Sequence, residues 1–294
     1  MTLKEYLANR VEIVERTLHT WVPAETVEPE VIHRAMRYSL FAGGKRIRPV
    51  LCMAAGDVIQ PGADGIADAA VTLEMIHTYS LIHDDLPALD NDDLRRGQPT
   101  NHKVFGEAMA ILAGDSLLTL AFQVLGSLQH VSAEVRSQLV VELASASGTV
   151  RGMIGGQVHD IEGEGMQPNA ALLEKIHRAK TGALLRASVR MGAIYAGANA
   201  EQLAALSEYG EHTGLAFQIV DDILDIEESS EALGKTAGKD LYQQKITFPA
   251  VYGLAESKRM AEEERQKAHA ALAPFGDRAT RLIEIADLIV DRKS

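Results

Sequence analysis

Apolar residues recur at intervals of three and four positions along most of this chain. The first run has apolar residues at positions 3, 7, 11, 14 and 18, and residues 66–82 and 172–185 keep the same rhythm. This spacing places apolar side chains on one face of an α-helix, and the period-two alternation that indicates strands is hard to find. Glycine and proline fall between the runs. The pattern predicts an all-α fold of about ten or more helices joined by short loops.

No boundary between two domains is visible. Residues 163–168 are rich in glycine but short enough to form a turn, and no internal repeat or low-complexity tract occurs. Length alone would suggest roughly two domains for such a chain. Because no linker separates two halves, we predict that residues 1–294 form a single domain.

Composition and charge narrow the classes of function. The formal charge of the 294 residues is −12, whereas nucleic-acid-binding proteins carry a basic surplus, so we expect no nucleic-acid partner. The lone cysteine, Cys52, allows no internal disulfide and no cysteine-based zinc site, which suits a reducing compartment. Charges near the first residue do not resemble a signal peptide, and no run of 18 apolar residues occurs. We expect a cytoplasmic enzyme without stable membrane anchoring.

Two acidic clusters each follow an apolar stretch. The first is Asp-Asp-Leu-Pro-Ala-Leu-Asp at residues 84–90, and the second is Asp-Asp-Ile-Leu-Asp at residues 221–225. A solvated acidic face would alternate with apolar positions, whereas these carboxylates stand at the ends of apolar segments, as at the mouth of an apolar cavity. Close carboxylates call for a cation, and an all-oxygen ligand set without EF-hand spacing favours Mg²⁺ over Ca²⁺.

Helix geometry gives each cluster an expected shape. At about 100° per residue, Asp221 and Asp225 lie about 40° apart with Asp222 beside them, so the three carboxylates should form one edge of a helix. In the first cluster, Pro87 should end the helix and let Asp90 bend back towards Asp84.

Basic residues supply partners for phosphate. Gly-Gly-Lys-Arg-Ile-Arg-Pro at residues 43–49 carries three cations, Arg95-Arg96 follows the first acidic cluster, and residues 234–240 follow the second. Arginine matches phosphate oxygens with its planar fork, and lysine acts as a point charge. His77 lies seven residues before Asp84 and therefore shares its helix face. The residues indicate a site that holds Mg²⁺ and diphosphate.

Taken together, these motifs resemble those of the trans-isoprenyl diphosphate synthases. The resemblance runs in order from about residue 33 to residue 250, and Pro87-Ala88 inside the first acidic cluster is similar to the bacterial type of short-chain synthase. The motifs that carry it are residues 43–49, 84–90, Arg95-Arg96, Gly156-Gln157-x-x-Asp160, Lys180-Thr181 and residues 221–225.

The resemblance implies mostly antiparallel helices around a deep central cavity, usually in a homodimer. It also implies a reaction in which an allylic diphosphate ionises, its carbocation alkylates isopentenyl diphosphate, and a proton is lost. Fixed cations and metal ions would neutralise the leaving diphosphate, and an apolar pocket would keep water from the carbocation.

The resemblance assigns roles residue by residue. Three Mg²⁺ ions per site, which Mn²⁺ can replace, are expected on Asp84, Asp85, Asp90, Asp221, Asp222 and Asp225. The allylic diphosphate is expected on Arg95, Lys180 and Lys235, with Thr181 and Gln218 beside the allylic carbons. Isopentenyl diphosphate is expected on Lys45, Arg48, His77 and Arg96. Of these residues, Lys180, Thr181, Gln218 and Lys235 are the expected catalytic groups.

Product length should depend on the residues one turn before the first acidic cluster. Tyr79 is bulky and Ser80 is small, and by resemblance an aromatic residue there stops growth at fifteen carbons. We therefore predict a farnesyl diphosphate synthase. Residues 101–107 also resemble the geranylgeranyl branch, which is the alternative.

Three other functions remain open. A class I terpene cyclase shares an acidic cluster and the helical fold, but would lack the segment at residues 43–49. A non-catalytic subunit of a heteromeric synthase typically loses one acidic cluster, and both are intact here. A generic acidic metal-binding protein would bind Mg²⁺ without turnover.

Overall fold

The computed structural model describes residues 1–167, 169–227 and 246–292, and most of these residues are helical. The α-helices, numbered in chain order, are α1 Leu3–Trp21, α2 Glu30–Leu40, α3 Ile47–Ile59, α4 Ile66–Asp84, α5 Asn101–Phe105, α6 Glu107–Ser127, α7 Ala133–Ser147, α8 Met153–Gly163, α9 Ala170–His177, α10 Ala183–Tyr195, α11 Ala200–Glu227, α12 Phe248–Tyr252, α13 Leu254–Ala271 and α14 Thr280–Asp291. A π-helix spans Arg178–Gly182 and a 3₁₀-helix spans Ala273–Ala279. The prediction of an all-α fold is confirmed.

The apolar runs of the sequence become the buried faces of these helices. Helix α1 begins at a capping box in which Thr2 accepts a hydrogen bond from the Glu5 amide, and the Glu5 carboxylate accepts one from the Thr2 amide. Val14 and Leu18 of α1 are fully buried. Helix α4 is buried nearly all round, as expected of a core helix, and packs against α3, α6 and α10.

Buried apolar side chains form three clusters. One joins α1, α2, α4, α6 and α7, another joins α3, α10 and α14, and the third lies between α11, α12 and α13. Helix α10 belongs to the first two, since Leu184 lies in one and Leu185 in the other. That residues 1–294 form a single domain stays a prediction.

Helix α6 is long and apolar enough to cross a membrane by length and composition alone. In the structure it packs along α4, and Ala113 and Leu117 are fully buried in that contact. Glu107 and Asp115 are charged positions within it. Helix α6 therefore packs one face against the core of this fold.

A short hairpin interrupts the helices after α4. Strand β1, Leu94–Arg95, pairs antiparallel with β2, Gln98–Pro99. Arg96 and Gly97 connect them with φ of 53° and 75°, as a two-residue hairpin turn with two positive φ angles requires. The hairpin holds Arg95 and Arg96 beside the end of α4.

Candidate active site

A cavity of about 1680 Å³ opens among α1, α3, α4, α6, α8, α11 and α14. Its volume exceeds the range of roughly 300–1,000 Å³ that is usual for small-molecule sites. Residues that sequence reasoning selected from five separate segments meet in its wall. They are Lys45, Arg48, His77, Tyr79, Ser80, Asp84, Arg95, Arg96, Lys180, Thr181 and Asp221.

The first acidic cluster has the predicted bend. Helix α4 ends at Asp84, and the Asp90 amide donates to the Asp84 carbonyl at 2.8 Å. The pKa of the Asp84 carboxyl is raised to about 6, chiefly by burial; the charges of Asp90 and Asp85 contribute to the rise, and Lys180 opposes it. Because burial disfavours the ionised carboxylate, a bound cation would stabilise it.

Asp85 is directed towards the hairpin. Its Oδ1 accepts from Arg95 Nε at 2.8 Å and from Arg95 Nη2 at 2.6 Å, and the Asp85 side chain is only 5% exposed. A two-pronged pair of this kind fixes the plane of the guanidinium. Asp85 thus orients Arg95 at the cavity wall, which fits a supporting role better than direct metal binding.

Cationic side chains gather around His77 in the wall of the same cavity. Burial lowers the pKa of His77 well below its ordinary value, and the charges of Arg48, Arg96, Arg95 and Arg46 lower it further, so His77 is neutral. Arg48 is 8% exposed, and its buried Nε has no hydrogen-bond partner among the described residues. Guanidinium groups gathered in this way suit an anionic ligand.

The glycine pair before Arg46 lets the chain approach the hairpin. Gly44 has a φ of +130°, and a Cβ there would lie 2.8 Å from the guanidinium carbon of Arg96. Arg96 Nη1 donates to the Gly43 carbonyl. The φ of Gly44 favours glycine there, and the contact holds Arg96 at the cavity wall.

Arg46, the second cation of segment 43–49, stabilises the fold. Its fully buried side chain pairs with Glu74 at 2.8 Å and with Glu15 at 2.7 Å, and it donates to the Leu40 carbonyl at 2.6 Å. The sequence pattern did not distinguish this cation from its neighbours Lys45 and Arg48.

Lys180 is held by residues that sequence reasoning matched to a motif without giving them a role. It lies in the π-helix, a local widening that is frequent at functional sites. Lys180 Nζ donates to Asp160 Oδ2 at 2.6 Å. A Cβ on Gly156 would lie 2.2 Å from the Lys180 amide nitrogen, so glycine is required for α8 to pack here. The spacing Gly156-x3-Asp160 was the sequence signal that marked these two residues.

The second acidic cluster differs from the predicted edge of three carboxylates. Of the three, Asp221 lines the cavity, whereas Asp222 and Asp225 are 3% and 4% exposed. Asp222 accepts from Gln218 Nε2 at 2.8 Å and from the Phe248 amide at 2.9 Å. Helix α11 is covered here by α12 and α13, which the helical period of one segment could not reveal. Gln218 is thus held by Asp222, and its place beside the substrate carbons stays a prediction.

Arg292 is a cavity residue that sequence reasoning missed. Its Nη2 donates to Asp221 Oδ1 at 2.7 Å, and its guanidinium carbon lies 4.0 Å from the centre of the Phe217 ring. Burial lowers the pKa of Lys45, and the nearby charge of Arg292 lowers it further. No motif marked Arg292, which directly follows the end of α14.

The donor set fits Mg²⁺ that shares its ligands with phosphate. No three histidine, cysteine or acidic side chains converge as a ready-made metal site within the described ranges. Asp84 and Asp221 instead face the same cavity as the cationic wall. Mg²⁺ is commonly held by one or two carboxylates together with substrate phosphates. Lys235, also predicted at this site, lies outside the described residues.

The chain is similar in sequence and in structure to known proteins. The polyprenyl synthetase family profile matches residues 29–281. The chain is 48% identical over 298 residues to heterodimeric geranylgeranyl pyrophosphate synthase large subunit 1, chloroplastic, of Arabidopsis thaliana. The match covers 98% of this chain and 79% of that relative. It is also 48% identical over 292 residues to a dimethylallyltranstransferase of Fischerella ambigua, and the match covers 99% of this chain and 84% of that relative.

Several other curated relatives are named geranylgeranyl synthases. Among solved structures, a putative farnesyl-diphosphate synthase from Marinomonas sp. MED121 superimposes with a TM-score of 0.84. It is 40% identical in sequence, and the match covers 99% of this chain and 100% of that one.

Proposed function

The chain belongs to the polyprenyl synthetase family, and from that premise we propose that it adds isopentenyl diphosphate to allylic diphosphates of increasing length, with geranylgeranyl diphosphate as the final product. Membership supports a short-chain prenyltransferase of isoprenoid biosynthesis. The observation that carries the proposal is one cavity that joins Asp84 and Asp221 to the cationic wall around His77. Such a cavity can hold two diphosphates and a metal ion together.

Different charged residues would bind the two diphosphates. Arg95, which Asp85 fixes, and Lys180, which Asp160 fixes, would bind the allylic diphosphate. Arg48 and Arg96, with Lys45, would bind isopentenyl diphosphate beside neutral His77. Positioning by rigid cations lowers the barrier because no group must reorganise as the bond breaks.

Magnesium is part of the proposal. Asp84, Asp90 and Asp221 would hold it, with three ions per site and Mn²⁺ as a substitute. When bound, it would neutralise the charge that develops on the leaving diphosphate. Leu118, Leu184 and other apolar residues line the deeper cavity and would keep water from the carbocation.

Twenty carbons is the product length that the relatives favour. Most of the similar curated proteins are named geranylgeranyl synthases, so this alternative is better supported than the farnesyl product first predicted. Farnesyl diphosphate is the second candidate because Tyr79, 6% exposed, lines the cavity about 7.5 Å along α4 from Asp84, at 1.5 Å per residue.

Farnesyl diphosphate as the substrate separates the two products. Purified protein would receive farnesyl diphosphate and labelled isopentenyl diphosphate with Mg²⁺, and the products would be sized by chromatography. A twenty-carbon product is expected. Absence of elongation, combined with formation of farnesyl diphosphate from shorter substrates, would establish the second candidate instead.

The proposal includes a homodimer in the cytoplasm. Ile111 and Leu112, on adjacent positions of α6, are 44% and 48% exposed, which suits burial against a second copy. The Arabidopsis relative is named as part of a heterodimer, so light scattering on the purified chain is the direct test. A monomer under assay conditions would refute the homodimer.

A further inference from the structure

The cavity wall at Tyr79 is completed by His83, one turn later on α4. The two rings pack edge to face, with their centroids 5.5 Å apart and their planes at 84°. Residues four apart lie on one helix face, and this arrangement of aromatic rings is favourable. Both side chains line the cavity. The position of the Tyr79 ring therefore depends on the position of the His83 ring.

Helix α6 holds His83 from the other side. His83 Nε2 donates to the Ile111 carbonyl at 3.0 Å. At Gly114 a Cβ would lie 2.2 Å from His83 Nε2 and 2.5 Å from its Cδ2, far inside van der Waals contact. Glycine in the middle of a helix is less favourable than alanine. The contact with His83 explains why α6 carries glycine there.

We propose that Gly114 and His83 are positioning residues that set the depth of the cavity at Tyr79 and thereby the product length. This inference rests on the proposed function. A methyl group at position 114 would push the imidazole towards Tyr79, narrow the cavity and shorten the product. Removing the imidazole would let the Tyr79 ring retreat and lengthen the product.

Three variants and a matched control test this. The variants are Gly114→Ala, His83→Ala and the double variant. The control is Gly126→Ala in the same helix, where a Cβ would meet nothing within 4 Å. Products from dimethylallyl and isopentenyl diphosphate would be sized at matched extents of turnover. Gly114→Ala should raise the ratio of fifteen- to twenty-carbon product about tenfold, the lower end of what one methylene group achieves in an apolar pocket.

The double variant shows whether Gly114 acts through His83. In the His83→Ala background, Gly114→Ala should no longer shift the product ratio, because the ring it displaces is gone. An unshifted ratio in Gly114→Ala, or an equal shift in both backgrounds, would overturn the inference. Gly126→Ala should keep the wild-type ratio, and a shift there equal to that of Gly114→Ala would also overturn it.

A second measurement is used for variants that turn over too slowly for their products to be sized. It matters most for the His83 variants because His83 adjoins Asp84. Calorimetry would compare the affinities for non-hydrolysable fifteen- and twenty-carbon thiolodiphosphates. The affinity ratio should move in the same direction as the predicted product ratio, and an unchanged ratio would refute the inference. If the wild-type chain formed no prenyl product, the proposed function would fail, and the affinity ratio would still decide whether Gly114 and His83 set the depth of the cavity.

Discussion

Buried charges in this molecule divide into those that hold the fold and those that face the cavity. Arg46 is surrounded by protein acceptors, whereas Arg48, two residues later, keeps a buried Nε without a partner among the described residues. Asp85 and Asp222 likewise accept hydrogen bonds from the protein, and Asp84 faces the cavity. Residue type and spacing predicted that these charged residues belong to the site, but only the packing separates those that stabilise the fold from those that face the cavity.

Replacement of Asp84 by asparagine should abolish turnover without unfolding the protein. The change keeps the shape of the side chain and removes a charge that burial disfavours. Turnover should fall by at least roughly 10²–10³-fold, the usual loss when one group that stabilises the transition state is removed. Steady-state kinetics and thermal melting measure the two effects, and near-normal turnover would refute the metal role of Asp84.

Loss of Glu74 should destabilise the fold. Glu74→Ala leaves the buried Arg46 guanidinium without its 2.8 Å partner, and breaking a buried pair costs about 3–5 kcal/mol. Denaturant unfolding would measure this loss. Glu12→Ala, at an exposed position of α1, is the control and should change stability by less than about 0.5 kcal/mol. Equal effects of both variants would contradict the structural role of the pair.

Tyr79→Ala should lengthen the product. The phenol ring lines the cavity, and its removal opens space below the growing chain. The main product should move to the next longer prenyl diphosphate, as sized by chromatography. Ser80→Ala, on the same turn but with little change in volume, is the control and should keep the wild-type product. An unchanged product in Tyr79→Ala would show that the cavity ends elsewhere.

At the scale of the elements, helical periodicity predicted most of what the structure contains. The apolar runs at residues 3–18 and 66–82 became α1 and α4, and Pro87 ended α4 as expected. The hairpin of two-residue strands and the π-helix were missed, because each is too short to produce a periodic pattern. The contact of Asp222 with the Phe248 amide was missed because α12 lies later in the chain.

Helix α8 and the π-helix should be sensitive to one methyl group. Gly156→Ala places a Cβ 2.2 Å from the Lys180 amide nitrogen, and backbone cannot move aside cheaply. Overpacking of this kind costs about 1–3 kcal/mol, and displacement of Lys180 by about 1 Å should lower turnover roughly 10²-fold. Unfolding and kinetics are the measurements. Gly126→Ala serves as control, and wild-type kinetics in Gly156→Ala would disprove the tight contact.

At the scale of the whole molecule, the net charge and the site have opposite signs. The chain carries −12, yet cationic side chains outnumber acidic ones among the described residues that line the cavity. An acidic exterior favours dispersion in water, and a local cationic wall attracts anions. The total charge argues against a nucleic-acid partner, but it could not reveal a cavity suited to diphosphates.

Turnover with and without metal is the most direct test of the central claim. Purified protein would receive dimethylallyl and isopentenyl diphosphate, either with Mg²⁺ or with a chelator, and the products would be extracted and sized. We predict chain elongation to geranylgeranyl diphosphate that requires Mg²⁺. A chain that bound both diphosphates and Mg²⁺ without forming any longer prenyl diphosphate would contradict the account.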